Sequence, residues 1–131
     1  MTVLVTGGAG FVGAEVVRTL LEAGAERPVV FDISSFALRL DGVHDQVELL
    51  QRGLGESSQV LNVVKTVRPG VIYHLGGMLS VPSDADPAVA LRANALGTYR
   101  GVGGGQAIRR AAGAVLQQYR HLRAEHPRRI R

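Results

Sequence analysis

The sequence predicts an α/β fold: a parallel sheet with helices on both faces, strands in the order 3-2-1-4, and an incomplete far edge. Three observations carry this. Short apolar runs alternate with longer stretches whose apolar residues recur at helical spacing, the pattern of strand–helix–strand crossovers. The first run, Val3-Leu4-Val5, leads into a glycine-rich turn, Thr6-Gly7-Gly8-Ala9-Gly10-Phe11-Val12-Gly13, which opens a helix. A carboxylate, Asp32, closes the second run about twenty residues beyond that turn.

Taken in order, Val3-Leu4-Val5 is apolar on every residue, as a strand covered on both faces requires. Phe11 to Glu22 carries helical periodicity, with Gly24 as its stop. In that setting Gly7 permits the tight turn, Gly10 lets an anion approach the backbone, and Gly13 lets helix and strand pack closely. The amides of the helix N-terminus then face the anion. This is the arrangement of an NAD(P)-binding Rossmann-like sheet. Pro28 enters the second strand, Val29-Val30-Phe31, and Asp32 stands where a carboxylate meets the adenosine ribose hydroxyls. A 2′-phosphate there would be repelled, and no Arg or Lys occurs from Ile33 to Leu38 to neutralise it, so NAD is expected over NADP. Residues 34–46 read as polar and irregular.

Val47-Glu48-Leu49-Leu50 is a third, shorter strand. Ser57 or Ser58 is placed to cap the next helix, whose inner face holds Val60, Val63, Val64 and Val67, and Arg68-Pro69-Gly70 ends it. Val71-Ile72-Tyr73-His74-Leu75 is the fourth strand, closing on Gly76-Gly77. The ends of the first and fourth strands form a switch point, where open parallel sheets bind ligands. His74, inside its strand, reads as a packed or hydrogen-bonded residue rather than an acid or base. Asp86-Pro87 starts another helix, Asp as cap and Pro in the first turn. Val89, Leu91 and Leu96 are its expected apolar contacts, with polar Asn94 in its middle.

The 131 residues suit one domain, and the absence of cysteine excludes disulfides, thiolate nucleophiles and cysteine-bound metal. No metal site is expected. Met1-Thr2 leads into the first strand without a basic leader, and no apolar run would span a bilayer, so a cytoplasmic location without a membrane partner is expected. Residues 1–100 hold eight Lys/Arg against ten Asp/Glu, a balance of −2, while residues 101–131 hold seven Arg against one Glu, +6. The basic character belongs to the tail alone. Nucleic-acid binding is not expected of it, because the tail lacks interleaved aromatics beyond Tyr119.

Thr6 to Gly13, Asp32, Tyr73-His74-Leu75-Gly76-Gly77, Asp86-Pro87 and Asn94-Ala95-Leu96-Gly97-Thr98 together resemble the extended short-chain dehydrogenase/reductase family, in its NAD-dependent epimerase/dehydratase branch. The resemblance covers residues 1 to about 100. It implies that Gly7, Gly10 and Gly13, with the Phe11 and Val12 amides, cradle the NAD pyrophosphate. It gives the ribose to Asp32, with Ile33 beside it. Leu54 and the strand-four end, Leu75, Gly76 and Gly77, line the cofactor, and Asn94 steadies the site. Residues near Ser80 face the substrate in that family. Its members oxidise a hydroxyl, usually of a nucleotide sugar, and later reduce it again.

Two departures follow from the same resemblance. Where the family carries Gly-Asp-Leu after the third strand, this chain has Arg52-Gly53-Leu54, so the carboxylate that meets the adenine amino group is missing. The family's chemistry uses a Tyr-x-x-x-Lys pair, the lysine lowering the tyrosine pKa. Here Tyr73, Tyr99 and Tyr119 are followed four positions on by Gly77, Gly103 and Arg123, and Lys65 is the only lysine. Arginine cannot give up its proton near neutral pH. No catalytic residues are assigned.

The family pattern stops at about Arg100, so residues 1–100 read as a truncated NAD-binding domain and 101–131 as a basic Ala/Arg/Gly-rich tail. Back-translated and read one nucleotide later, residues 101–123 can give VLEAAKLFGVQQVLFSSSIGTYG, which has the look of the family's next helix and fifth strand. Gln117 and Gln118 can give only Asn or Ser in that frame. The tail therefore reads as out of frame. As written, it is expected to lay a helix of Ile108, Ala112, Val115, Leu116 and Tyr119 over the fourth strand, and to supply no strand of its own. The expected function is the NAD-binding N-terminal portion of an epimerase/dehydratase, inactive alone, whose nucleotide-sugar substrate belongs to the complete parent enzyme. The alternative is a non-catalytic NAD-binding regulatory module with a purposeful tail.

Overall fold

The four apolar runs form strands β1 (Val3–Thr6), β2 (Val29–Asp32), β3 (Glu48–Gln51) and β4 (Val71–His74). The computed structural model describes residues 1–34, 38–78 and 80–99, and the backbone of 112–114. The strands pair in parallel in the order β3-β2-β1-β4. Register places Thr6 between Phe31 and His74, and Asp32 beside Gln51. The carboxyl ends of β1, β2 and β4 therefore finish level with one another.

Both faces of the sheet are apolar, which accounts for runs without alternation. Val3, Val5 and Val30 pack with Ala14 and Val17 of helix α1 (Phe11–Glu22). Leu4, Val29, Phe31 and Ile72 pack on the other face with Val60 and Val64 of helix α2 (Ser57–Val67), with Val63 and Val67 at the margin. Each fully buried valine or leucine contributes about 1.5–3 kcal/mol.

Several local expectations change. β3 begins at Glu48, and Val47 is instead buried in the α1-side core. Residues 34–46 are not merely a polar loop: two short 3₁₀ turns, Leu38–Leu40 and His44–Gln46, bring Leu40 into the same core at 0% exposure. Neither serine caps α2. Glu56 holds the N-cap position without a side-chain bond, because the tight 53–56 turn starts the helix at Ser57 and leaves Ser58 in its first turn. Arg68-Pro69-Gly70 ends α2 as expected, with Arg68 itself left-handed at φ 47°.

A short helix, α3 (Ser80–Ala85), precedes α4 (Pro87–Leu91), whose N-cap Asp86 accepts from the Val89 N–H at 3.0 Å as expected. α4 continues through a π-helical turn at Arg92–Leu96. Ala90 and Ala93 are buried there, whereas Leu91 is 62% exposed and Leu96 also exposed, so the small residues and not the leucines make the close contact.

The expected bare edge on β4 is also corrected. Ala112–Ala114 forms a fifth strand, β5, parallel to β4 with Val71 opposite Ala112 and Tyr73 opposite Ala114. A strand edge is matched by main-chain N–H and C=O groups whatever the side chains, and Ala-Gly-Ala carries no charge or bulk that would oppose pairing. Ala112 is thus not helical; Ile108, Val115, Leu116 and Tyr119 lie outside the described residues. No helix among the described residues is long and apolar enough to cross a membrane.

Candidate functional site

Three chain reversals meet at the carboxyl edge of the sheet. The first follows β1. Gly7 turns at φ +69°, its N–H donating to the Phe31 carbonyl at 2.8 Å, and Gly10 N–H closes back on the Gly7 carbonyl at 3.1 Å. A Cβ on Gly7 would stand 2.6 Å from the Gly76 backbone, and one on Gly13 would collide with the Gly7 carbonyl. Only glycine allows the β1 turn, the β4 end and α1 to approach this closely.

α1 begins with no side chain capping it and no acid in its first turn. Its opening amides, at Phe11, Val12 and Gly13, have no carbonyl one turn earlier to bond, and they carry the positive end of the helix dipole. Phe11 is 77% exposed and Val12 is exposed as well. This end of the helix meets no negative charge from its own first turn.

Asp32 ends β2 and braces the turn. Its Oδ2 accepts from the Ala9 N–H at 3.0 Å and its Oδ1 from the Ser34 N–H at 2.9 Å. Each oxygen retains acceptor capacity. Ile33 beside it is 77% exposed. After β3, Leu54 wedges between two later glycines. A Cβ on Gly76 would meet the Leu54 side chain at 2.5 Å, and one on Gly97 the Leu54 carbonyl at 2.8 Å. Where the adenine carboxylate was expected and is missing, the Gly53 N–H donates to Gln59 Oε1 at 3.2 Å.

The third reversal follows β4. Leu75 N–H donates to the Thr6 carbonyl at 3.0 Å and Gly76 N–H to Thr6 Oγ1 at 3.3 Å. Asn94, from the π-helical turn, grips the next residues as a strand would. Its Oδ1 accepts from the Met78 N–H at 2.6 Å and its Nδ2 donates to the Met78 carbonyl at 3.0 Å. Its oxygen would also lie 3.0 Å from a Cβ on Gly77. His74 is 5% exposed, with Nδ1 2.7 Å from Thr6 Oγ1 and Nε2 2.8 Å from Thr98 Oγ1. Burial holds its pKa below the usual imidazole range. This is the structural role expected of it.

The structure thus brings Gly7, Gly10, Phe11, Val12, Gly13, Asp32, Ile33, Leu54, Leu75, Gly76 and Gly77 to one edge, with Asn94 holding the last turn from behind. Reasoning from the sequence alone missed three participants: the Thr6 hydroxyl, the Met78 backbone and Thr98. Thr98 was legible as the residue one helical turn after Asn94, to whose carbonyl its hydroxyl donates at 2.7 Å. Among the described residues no cluster of three His, Asp or Glu could hold a metal ion.

The family model described as GDP-mannose 4,6 dehydratase matches residues 4–113. The dTDP-glucose 4,6-dehydratase of Salmonella typhimurium is 29% identical over 105 residues, 76% of this chain and 29% of that protein. The UDP-glucose 4-epimerase of Azospirillum brasilense is 32% identical over 80 residues, 61% of this chain and 22% of that protein. Among solved structures, UDP-glucose 4-epimerase of Thermotoga maritima, crystallised with UDP-glucose, superposes with a TM-score of 0.76 at 25% identity. That match covers 88% of this chain and 37% of that one. The Thermus thermophilus UDP-glucose 4-epimerase complex with NAD gives 0.66 at 29% identity, covering 82% of this chain and 34% of that one. The chain therefore spans less than a third of the two curated relatives. With the family model covering most of its length, the chain belongs to the GDP-mannose 4,6 dehydratase family, as an N-terminal region of the NAD-dependent epimerase/dehydratase kind.

Proposed function

We propose that this chain is the NAD-binding N-terminal portion of an epimerase/dehydratase that acts on a nucleotide sugar. One observation carries the reading. The uncapped N-terminus of α1 and the Asp32 carboxylate are tied together through Ala9, so a diphosphate and a ribose diol can be met at once. The residues fit such a ligand. A Cβ on Gly10 would meet only the Gly7 carbonyl, at 3.1 Å, so its outer side is open. The NAD complex of a 29%-identical neighbour supports the same assignment.

In this reading Gly10, Phe11, Val12 and Gly13 hold the diphosphate through the backbone. Asp32 accepts from the ribose hydroxyls, and Ile33, Leu54, Leu75, Gly76 and Gly77 line the remainder. Asn94 holds the Gly77-Met78 turn in place. NAD supplies a hydride acceptor that can return what it takes. None of the chain's tyrosines has a lysine four residues on, so the family's usual proton-transfer pair is not found in this sequence. The chain alone is expected to show no turnover of UDP-glucose, dTDP-glucose or GDP-mannose; turnover lost in Tyr119→Phe would show that Tyr119 and Arg123 do the work of the missing pair. The tail beyond Arg100 is read as out of frame, which sequencing the gene across the Thr98 to Arg109 codons tests.

The test of the cofactor assignment is calorimetric titration of the full chain with NAD and NADP. NAD is expected to bind about tenfold or more tighter, since Asp32 opposes a 2′-phosphate. Asp32→Ala should narrow that gap, and tighter binding of NADP by the unmodified chain would overturn the assignment. The second reading, a non-catalytic NAD-binding module, is favoured by one observation, the pairing of β5 from the tail with β4. It predicts that deleting residues 101–131 removes NAD binding, whereas the first reading predicts that affinity survives.

A further inference from the structure

Thr98 has one hydroxyl proton, and it is spent on the Asn94 carbonyl at 2.7 Å. Toward His74 Nε2, 2.8 Å away, Thr98 Oγ1 can therefore only accept, so Nε2 carries the hydrogen. In a neutral ring Nδ1 is then the bare nitrogen, and it accepts from Thr6 Oγ1 at 2.7 Å. Thr6 Oγ1 in turn accepts the Gly76 N–H at 3.3 Å. The protons run one way only: Gly76 N–H to Thr6, Thr6 to His74, His74 to Thr98, Thr98 to the Asn94 carbonyl.

The path joins two pieces by hydrogen bonds, beside the packing of Leu54 between Gly76 and Gly97. At one end lie the glycine-rich turn and the β4 end, which meet at Gly7 and Gly76. At the other lies the turn whose Asn94 clamps Met78 on both sides. The imidazole sits at the margin of an apolar cavity with Leu4, Phe31, Val60, Val64 and Ile72 among its walls. No titratable or charged side chain lines that cavity apart from His74 itself, so nothing there would balance a proton on the ring.

We propose that His74, as the neutral Nε2–H tautomer, is a positioning residue that sets the glycine-rich turn against the Asn94 helix, so that one ring places both walls of the site. The part of this that concerns affinity rests on the dinucleotide reading above; the part that concerns the ring does not.

The experiment compares the ¹⁵N-labelled full chain with Thr98→Val, which keeps the side chain's shape and removes the acceptor, and Thr98→Ser, which restores it. Imidazole nitrogen shifts of the unmodified chain at neutral pH should show the Nε2–H tautomer. In Thr98→Val the Gly76 amide resonance should move, because the hydrogen bonds from the substituted side chain reach it by way of the ring. NAD affinity should drop about tenfold and return to within about twofold in Thr98→Ser. A protonated ring or an Nδ1–H tautomer in the unmodified chain overturns the proposal. So does a Thr98→Val chain whose Gly76 amide and NAD affinity are unchanged. Should Thr98→Val fail to fold, the tautomer in the unmodified chain and the affinity of Thr98→Ser decide. If the unmodified chain binds no NAD, the cofactor assignment fails, and the tautomer and the Gly76 resonance still judge the ring.

Discussion

At the scale of single residues the site rests on a few backbone approaches and two side chains that brace them. Gly7, Gly13 and Asp32 were legible in the sequence because each has one physical reason to be there: a left-handed turn, a close packing distance, a carboxylate at the end of a strand. His74 was legible only as a structural residue. That its two nitrogens bond Thr6 and Thr98 depends on the register that sets Thr6 beside His74, which strand order alone does not fix. The ring also sets a pH dependence. Its pKa in the folded chain lies below the ordinary value because burial disfavours the charged form. The unfolded chain therefore binds the proton first as pH falls, and stability declines once pH drops below about 6.5. The slope approaches about 1.4 kcal/mol per pH unit until the folded-state pKa is reached. Denaturant unfolding across that range should show the decline, and His74→Phe should flatten it. An equal decline in the variant would assign the effect to other groups.

At the scale of elements, the first four strands and the first two helices could be read to within a residue or so, because apolar runs and helical periodicity report burial directly. What could not be read were contacts decided by tertiary packing. Leu40 fills the core from a segment with no periodicity. Ala90 of α4 and Ala93 of the π-helical turn, not the leucines, are buried. Arg68 shows the same limit. It follows the last turn of α2 and takes φ 47° although Gly70 stands two residues on, where the space is closed by the Met1 side chain. A non-glycine residue held left-handed costs about 1–2 kcal/mol, and glycine's extra unfolded-state freedom offsets part of any gain. Arg68→Gly is therefore expected to raise stability by roughly 0.5–1 kcal/mol, measured by thermal unfolding. A loss of stability would mean that the Arg68 side chain contributes more than its backbone costs. β5 was the largest surprise at this scale. Side chains of Ala112–Ala114 give no strand signal, and pairing there is driven by the free edge of β4.

At the scale of the whole molecule, the order 3-2-1-4 follows from crossover rules applied to four strands, and the structure has it, with β5 added outside β4. That order brings the first and fourth strand ends together and makes the switch point, so the place of the candidate site could be reasoned from topology before any side chain was placed. The bracing around it could not, because Asn94, Met78 and Thr98 meet only through a π-helical turn that no propensity announces. The central claim is that this edge binds a dinucleotide with its diphosphate on the first turn of α1. Amide chemical-shift mapping of the ¹⁵N-labelled full chain during titration with NAD tests it most directly. The account predicts that the largest changes fall at Gly10 to Gly13, Asp32 and Ile33, and Gly76 and Gly77. Saturable changes centred elsewhere on the sheet, or none at these residues, would contradict it.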